Sequence, residues 1–256
     1  MVNVNVLVLR GPGTNCDAET VFAFQQAGAA ASTCHINQLI RHERRLSDYQ
    51  VLVVPGGFTY GDDIAAGKVL ANELKLKLGE DIRQFVSSGG LILGICNGFQ
   101  VLVKAGILPD INRQTVPPLT LTNNDSGRFE CRWVNLLVNK KSSCVFTQGA
   151  DNLYLPVAHG EGKVVTDVRG LREINAVMYY TDESGDTHAG YPYNPNGSMD
   201  NIAGVCDSTG RIFALMPHPE RHIRFNQHPH WTRKKPREFG DGFIIFQNAV
   251  KFAKSK

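Results

Sequence analysis

Short apolar runs alternate with amphipathic segments over the first hundred residues. Residues 51–54 and 91–95 are continuously apolar, which is typical of strands that are buried on both faces of a sheet. Apolar residues spaced by three or four, with a glycine at the end, indicate helices instead. From these patterns we predict strands over residues 3–9, 30–34, 51–54 and 91–95, and helices over residues 17–27, 69–86 and 99–104. This alternation favours a parallel sheet covered on both faces.

The pattern changes after residue 120, where strands predominate. We predict strands over residues 131–137, 164–165, 176–180, 202–206 and 211–216. Two polar segments, 182–186 and 207–210, are predicted to be hairpin turns, and residues 243–253 a closing helix. This part should extend the sheet and add a smaller mixed layer. The overall prediction is an α/β fold with a mostly parallel sheet and extra antiparallel strands, with residues 1–256 forming one domain.

Composition narrows the class of protein without identifying it. The 256 residues are 42% hydrophobic and 20% charged, and the net charge of +3 gives no reason to expect a nucleic-acid partner. No apolar run approaches the length of a membrane span, so no membrane contact is expected. The six cysteines include no Cys-x-x-Cys pair. We therefore expect reduced thiols, a cytoplasmic location and no metal site.

The segment 222–240 is rich in His, Arg, Lys and Pro, and we predict an irregular surface arm there. It contains His222, His228 and His230. No cysteine or second set of ligands accompanies these histidines, so solvated side chains are favoured over metal ligands.

One cysteine stands in a sequence context that suits a nucleophile. Residues 94–98 read Gly-Ile-Cys-Asn-Gly, directly after a predicted strand and directly before a predicted helix. A nucleophile on such a tight turn is a nucleophile elbow, in which glycines allow close approach of the backbone. The N-terminus of the following helix favours thiolate over thiol. Cys96 is therefore the candidate nucleophile.

A cysteine nucleophile needs a base, and the base needs a group that orients it. Residues 216–220 read Met-Pro-His-Pro-Glu and follow a predicted strand. In an extended segment, residues two apart point to the same side. Glu220 should then accept a hydrogen bond from one nitrogen of His218 while the other nitrogen faces the thiol. His218 would accept the thiol proton and later donate one to the leaving amine.

The oxyanion formed by thiolate attack needs N–H donors. The backbone N–H of Asn97, at the start of the elbow helix, is one candidate. Gly57 is the other, because its Pro-Gly-Gly-Phe loop follows a strand whose end should share a rim with Cys96. A further segment, Ala-His-Gly-Glu-Gly, contains His159. Its glycines suggest backbone close to a ligand, although an ordinary turn explains them almost as well.

These residues together resemble a known family. The set 55–57, 94–100 and 218–220 is similar to the class I, or triad, glutamine amidotransferases. More narrowly, the chain resembles the glutaminase component of phosphoribosylformylglycinamidine synthase, an enzyme of de novo purine synthesis, in the segments 12–17, 55–62, 124–133, 158–162, 194–198 and 216–221. The resemblance implies a flavodoxin-like, doubly wound fold.

The resemblance also implies roles for individual residues. Cys96, His218 and Glu220 would form a catalytic triad that hydrolyses L-glutamine to glutamate and ammonia through a Cys thioester. Gln100 matches the family position that holds the substrate glutamine, and we assign His159 to the same pocket. The ammonia would pass to a separate synthetase subunit that converts formylglycinamide ribonucleotide to formylglycinamidine ribonucleotide. No cofactor is expected on this chain, since ATP and magnesium would be bound by the synthetase.

Two questions about partners stay open at this point. One is whether a third small subunit bridges the other two. The other is the docking surface, for which Arg128, Glu130 and Trp133 are candidates because Trp and Arg are typical interface anchors. An edge strand of the core explains these residues equally well.

Three other functions also remain open. A related amidotransferase of another pathway would use the same triad to feed a different acceptor. A non-catalytic regulatory module could keep the fold, and a cysteine peptidase or deglycase could use a similar elbow. The His-x-Glu spacing and the presence of Gln100 favour glutamine as the substrate.

Overall fold

The computed structural model describes residues 3–62, 65–112 and 118–256. Its strands are β1 (Asn5–Arg10), β2 (Ala30–His35), β3 (Val51–Val54), β4 (Leu91–Ile95), β5 (Leu119–Thr122), β6 (Glu130–Val138), β7 (Asn152–His159), β8 (Lys163–Thr166), β9 (Asn175–Thr181), β10 (Ile202–Cys206) and β11 (Ile212–Leu215). A nine-stranded sheet has the order β2-β1-β3-β4-β11-β10-β9-β6-β7, and β5 pairs with β8 in a second, two-stranded sheet.

The first half of the large sheet is parallel. It runs β2-β1-β3-β4-β11, with every neighbouring pair parallel. All residues of β3, β4 and β11 are buried, which explains why β3 and β4 appear as uninterrupted apolar runs in the sequence. This strand order is that of flavodoxin-like doubly wound sheets, and the predicted fold class is confirmed.

The second half of the large sheet is antiparallel. β10, β9, β6 and β7 follow β11 in turn, each antiparallel to its neighbour. The prediction that the middle of the chain extends the sheet and adds a small layer is therefore confirmed. Residues 207–210 form the predicted hairpin turn between β10 and β11. Residues 182–186 form a turn but not a hairpin, because the next strand begins only at Ile202.

The helices are α1 (Asp17–Gln26), α2 (Ile36–Ile40), α3 (Lys68–Lys77), α4 (Gly79–Ser87), α5 (Asn97–Lys104), α6 (Val168–Glu173) and α7 (Phe243–Lys254). The single helix predicted over residues 69–86 is wrong, since the structure divides it. Leu78 leaves the helical conformation, with φ −124° and ψ 5°, and remains 2% exposed. Gly79, a poor helix former, follows the break. None of the described helices is long and apolar enough to cross a membrane.

The sequence patterns missed one strand that matters for the site. β7 contains Pro156, which weakens a strand prediction because proline has no N–H for the ladder. The strand lies at the edge of the large sheet, where proline is tolerated. The burial of Leu153, Leu155 and Val157 alternates regularly, and this period of two was the available signal. β5, α2 and α6 were not predicted either.

The segment 222–240 contains only short turns, at Phe225–Gln227 and Trp231–Arg233. Residues 229–239 are exposed, whereas His222 and His228 are 0% and 2% exposed. The prediction that these two histidines are solvated is therefore wrong. Their rings pack against Trp133, with centroids 5.1 and 5.9 Å away, so the segment covers part of the sheet.

Candidate active site

Four strand ends bring the candidate residues to one rim of the sheet. β1, β3, β4 and β11 are parallel neighbours, so the segments 11–16, 55–58, 96–98 and 216–220 all leave the sheet at its carboxyl edge. β7 runs in the same direction as β11, because the four strand pairs that lead from β11 through β10, β9 and β6 to β7 are all antiparallel, and an even number of reversals restores the direction. His159, its last residue, therefore reaches the same rim.

Cys96 lies on the predicted elbow between β4 and α5. Its backbone has φ +51° and ψ −106°, a strained conformation for a residue with a side chain. A Cβ atom on Gly98 would lie 1.9 Å from the carbonyl oxygen of Val54, so only glycine permits this close packing of α5 on β3. The thiol is 3.7 Å from the carbonyl oxygen of Ala158, and Cys96 is 6% exposed.

His218 and Glu220 form a buried pair directly after β11. His218 Nδ1 and Glu220 Oε1 are 2.6 Å apart, and the two residues are 2% and 1% exposed. The local conformation differs from the fully extended segment that the sequence suggested. Only His218 is extended, and Pro219–Arg221 form a single helical turn that folds Glu220 back onto the imidazole. The N–H of His218 donates to the carbonyl of Pro156, which anchors the pair to β7.

The charges around His218 favour its protonated form. Burial by itself lowers the pKa of the imidazole, but the Glu220 carboxylate and the nearby Cys96 sulfur outweigh it and hold the pKa well above its ordinary value. Nε2 is buried and has no hydrogen-bond partner among the described residues. The N–H of Cys96 donates to the carbonyl of Leu215 at 2.8 Å, so the elbow lies beside the end of β11, which His218 follows by three residues. The structure brings the three predicted triad residues together.

A second thiol, which the sequence analysis missed, lies on the other side of the imidazole. Cys16 Sγ is 4.0 Å from His218 Nδ1 and 3.1 Å from Arg221 Nη2. Burial is the main reason that the pKa of this thiol is raised. Ligand atoms of Cys16, His218 and Glu220 lie within 4.8 Å of one another, but the Arg221 guanidinium beside the sulfur disfavours a cation there.

The two candidate oxyanion donors lie on loops that meet at this rim. Gly57 has φ +147°, and a Cβ atom there would be 2.8 Å from the backbone nitrogen of Asn15. Only glycine therefore suits this position. Among the residues that the structure describes, neither the Gly57 N–H nor the Asn97 N–H donates a hydrogen bond. Both groups are free to bind an oxyanion, and their role remains a prediction.

Gln100 joins the elbow helix to the segment 158–162. Its Oε1 accepts a hydrogen bond from Asn97 Nδ2 at 2.9 Å, and its Nε2 donates to the carbonyl of Glu161. The side chain is 4% exposed. Glutamine binding by Gln100 stays a prediction, but the structure gives this side chain a fixed position one helical turn from Cys96.

His159 is a second buried histidine near the candidate triad. Burial, together with the positive charge of His218, lowers its pKa to about 4, so the ring is neutral at pH 7. Its Nδ1 lies 3.2 Å from Asn124 Oδ1. Its Nε2 is buried without a hydrogen-bond partner among the described residues. The unpaired nitrogen suits a contact with substrate, and glutamine binding by His159 stays a prediction.

Buried amides hold the segment that carries His159, and the sequence analysis gave them no role. Asn124 Oδ1 accepts a hydrogen bond from the N–H of Gly162 at 3.0 Å. Asn196 Nδ2 donates to the Gly162 carbonyl at 2.9 Å and to the Tyr180 hydroxyl at 3.2 Å. The Asn-rich motifs around residues 124 and 196 therefore position residues 159–162. Only the contacts across the fold reveal this.

The three candidate docking residues differ in their exposure to solvent. Arg128 is exposed, as a docking residue must be. Glu130 is 4% exposed and ion-paired with Arg132, so its proposal as a surface contact is wrong. Trp133 is half-buried and stacked on Tyr154 with ring centroids 5.3 Å apart. The alternative of an edge strand fits the first part of β6, because residues 130–133 pair with β7 alone and β9 pairs only with residues 135–138.

Comparisons with known proteins show which family the chain belongs to. Residues 3–253 match the model of the CobB/CobQ-like glutamine amidotransferase domain. A protein of Dehalococcoides mccartyi named phosphoribosylformylglycinamidine synthase subunit PurQ is 56% identical over 254 residues, which cover 99% of each chain. A protein of the same name from Archaeoglobus fulgidus is 44% identical, with 97% of each chain covered.

A solved structure of a similar protein has the same fold. A chain in the structure of PurLQS from Thermotoga maritima superimposes with a TM-score of 0.76 and 31% sequence identity, covering 98% of this chain and 99% of that one. The strained cysteine elbow, the buried His–Glu pair and the strand order thus occur in a chain that belongs to the CobB/CobQ-like glutamine amidotransferase family.

Proposed function

We propose that this chain is the glutaminase subunit of a phosphoribosylformylglycinamidine synthase. The observation that carries the proposal is the position of three buried residues at one rim of the sheet: Cys96, whose N–H donates to the end of β11, and the His218–Glu220 pair that follows β11. The strained backbone of Cys96 supports a catalytic rather than a purely structural module, since such strain is typical of functional sites. Relatives with the PurQ name, similar over nearly the full chain, support the purine enzyme over another amidotransferase.

The geometry suits hydrolysis of glutamine through a thioester. The thiol proton of Cys96 moves to His218 Nε2, and the sulfur forms a bond to the side-chain amide carbon of glutamine. Collapse of the tetrahedral intermediate breaks the C–N bond, and His218 donates its proton so that ammonia leaves. Water, deprotonated by His218, then attacks the thioester carbon, which releases glutamate and restores the thiol.

The remaining parts of the site would assist these steps. Glu220 orients the imidazole and stabilises its positive charge. The N–H groups of Gly57 and Asn97 would stabilise the negative oxygen of both tetrahedral intermediates. Gln100 and His159 would hold the amino-acid portion of the substrate, next to the Cys96 thiol.

The ammonia would be used by a separate synthetase subunit. That subunit would bind ATP and magnesium and would convert formylglycinamide ribonucleotide to the amidine, with a third small subunit in the assembly. The similarity to a chain in the PurLQS structure supports a complex of several subunits. The cytoplasmic location remains part of the proposal and is supported by the six cysteines, all of which are free thiols.

The test is a measurement of product with two sources of nitrogen. The chain is mixed with the synthetase and small subunits of its own organism, ATP, magnesium and formylglycinamide ribonucleotide. We expect amidine formation with either glutamine or ammonium, and we expect Cys96→Ala to abolish only the glutamine-dependent reaction. Full glutamine-dependent activity of Cys96→Ala would end the proposal. Glutamate release without transfer of ammonia to the ribonucleotide would point to another pathway.

A further inference from the structure

The side chain of Asn97 connects the two loops that carry the candidate oxyanion donors. Asn97 Oδ1 accepts a hydrogen bond from the Thr59 hydroxyl at 2.6 Å and from the Thr59 N–H at 3.3 Å. Its Nδ2 donates to Gln100 at 2.9 Å and to Asp62 at 3.3 Å. Asn97 and Thr59 are 1% and 2% exposed. This amide is therefore saturated and held in one orientation.

The loop that carries Gly57 is fixed on its other side by backbone contacts. The N–H of Phe58 donates to the carbonyl of Gly13 at 2.9 Å, and the N–H of Tyr60 donates to the carbonyl of Pro12 at 2.7 Å. The N–H of Cys16 donates to the carbonyl of Gly56 at 3.2 Å. These contacts attach the loop to the segment after β1. They do not attach it to the elbow that carries Cys96.

The contact between Thr59 and Asn97 connects the loop that carries Gly57 to the elbow that carries Cys96. Thr59 follows Gly57 by two residues, and Asn97 follows Cys96 directly. A hydrogen bond of 2.6 Å between buried partners resists separation of the two loops more than an exposed contact would. Since an oxyanion must meet both N–H groups at once, their separation matters for rate, and misplacement by about 1 Å can cost about a hundredfold.

The geometry points to Thr59 as a positioning residue of the glutaminase reaction, whose hydroxyl sets the spacing between the Gly57 and Asn97 N–H donors through the Asn97 side chain. The inference rests on the proposed function. It adds a residue outside the triad and outside the glutamine pocket. Among the described residues, the Thr59 N–H and hydroxyl donate to Asn97 and not to Cys96 or His218, so the loss of the hydroxyl should leave thiolate formation intact.

The test compares Thr59→Val, which removes the hydroxyl at nearly constant volume, with Thr59→Ser, which retains it. Thr147→Val is the matched control, because Thr147 is also buried but lies in the turn Val145–Thr147, away from the strand ends that form the site. Glutamine hydrolysis is measured in the assembled complex with ATP and formylglycinamide ribonucleotide. The rate of Cys96 alkylation by iodoacetamide is measured in parallel, because that substitution forms no oxyanion.

We expect Thr59→Val to lower kcat for glutamine by about 10- to 100-fold, with KM changed less than about threefold. Alkylation should stay within about twofold of the wild type, and Thr59→Ser should restore most of kcat. A kcat within twofold of the wild type for Thr59→Val would overturn the inference. An equal loss of alkylation would also overturn it, because the hydroxyl would then act on the triad.

Two further outcomes keep the test decisive. If Thr59→Val does not fold, as judged by its melting temperature, Thr59→Ala is measured in its place with the same criteria. If the wild-type complex does not hydrolyse glutamine at all, the proposed function fails. If the wild type is active and Thr59→Val matches it, only the role of Thr59 fails.

Discussion

His159 and His218 are both buried, yet their surroundings shift their pKa values in opposite directions. Burial dominates at His159 and lowers its pKa to about 4. At His218 the same burial is outweighed by Glu220 and Cys96, and the pKa is raised. One site therefore holds a neutral imidazole beside one that readily accepts a proton. This pairing suits a base that must take up the thiol proton while a second ring stays uncharged.

The neutral state of His159 predicts a loss of stability in acid. The unfolded chain binds the proton with a pKa near 6.5 and the folded chain with a pKa of about 4. The contribution of the neutral His159 to the free energy of unfolding is therefore fully present above pH 6.5, and it is lost as the pH falls from 6.5 toward 4. We expect wild type to lose about 2–3 kcal/mol more than His159→Gln between pH 7 and pH 4.5. Urea denaturation at both pH values measures this, and equal losses would contradict the assigned pKa.

The elbow between β4 and α5 is the element on which the site depends. α5 packs so closely against the end of β3 that a side chain on Gly98 would collide with the carbonyl of Val54. The backbone of Cys96 has a positive φ in the same turn. The strain and the close contact are both local, and both are specified by the Gly-Ile-Cys-Asn-Gly sequence.

A glycine substitution tests this packing. We expect Gly98→Ala to lower the free energy of unfolding by about 1–3 kcal/mol and to reduce alkylation of Cys96, because α5 must move away from β3. Gly190→Ala is the control, since no atom lies within 4 Å of the Cβ position there. The control should be close to neutral. A Gly98→Ala variant as stable and reactive as the control would contradict the proposed close packing.

The elements near the triad were predictable to different degrees, for physical reasons. β3 and β4 are continuous apolar runs, and the elbow has its own sequence pattern, so the nucleophile could be placed from local information. β7 was missed because Pro156 interrupts its strand signal. The contact of Cys16 with Arg221 joins residues 205 positions apart, and no local pattern encodes such a contact.

At the scale of the whole molecule, the rim around the site exposes apolar surface. Phe58 and Phe129 are 47% and 52% exposed and stack on each other, with ring centroids 6.3 Å apart. Phe58 directly follows the Gly57 loop, and Phe129 lies 4.0 Å from the Cβ position of Gly160. Exposed aromatic side chains beside a reaction site are typical of a surface that a partner covers.

This surface predicts the effect of a charge at its centre. We expect Phe129→Asp to weaken binding of the synthetase subunit by at least about tenfold, because aromatic anchors contribute about 2 kcal/mol or more to interfaces. Leu76→Asp is the control, since Leu76 is 79% exposed but lies near the far end of α3. Calorimetric titration measures both affinities. Equal binding by Phe129→Asp and wild type would place the interface elsewhere.

The central claim is that Cys96, and not the other thiol beside His218, attacks glutamine. Acid quenching of the assembled complex during turnover, followed by peptide mass spectrometry, locates the γ-glutamyl thioester on one cysteine. Cys16 is the internal competitor, because it lies 4.0 Å from His218 Nδ1. We predict the adduct on the peptide that contains Cys96, and its persistence in Cys16→Ser. An adduct on Cys16, or rapid turnover with no adduct on Cys96, would contradict the account.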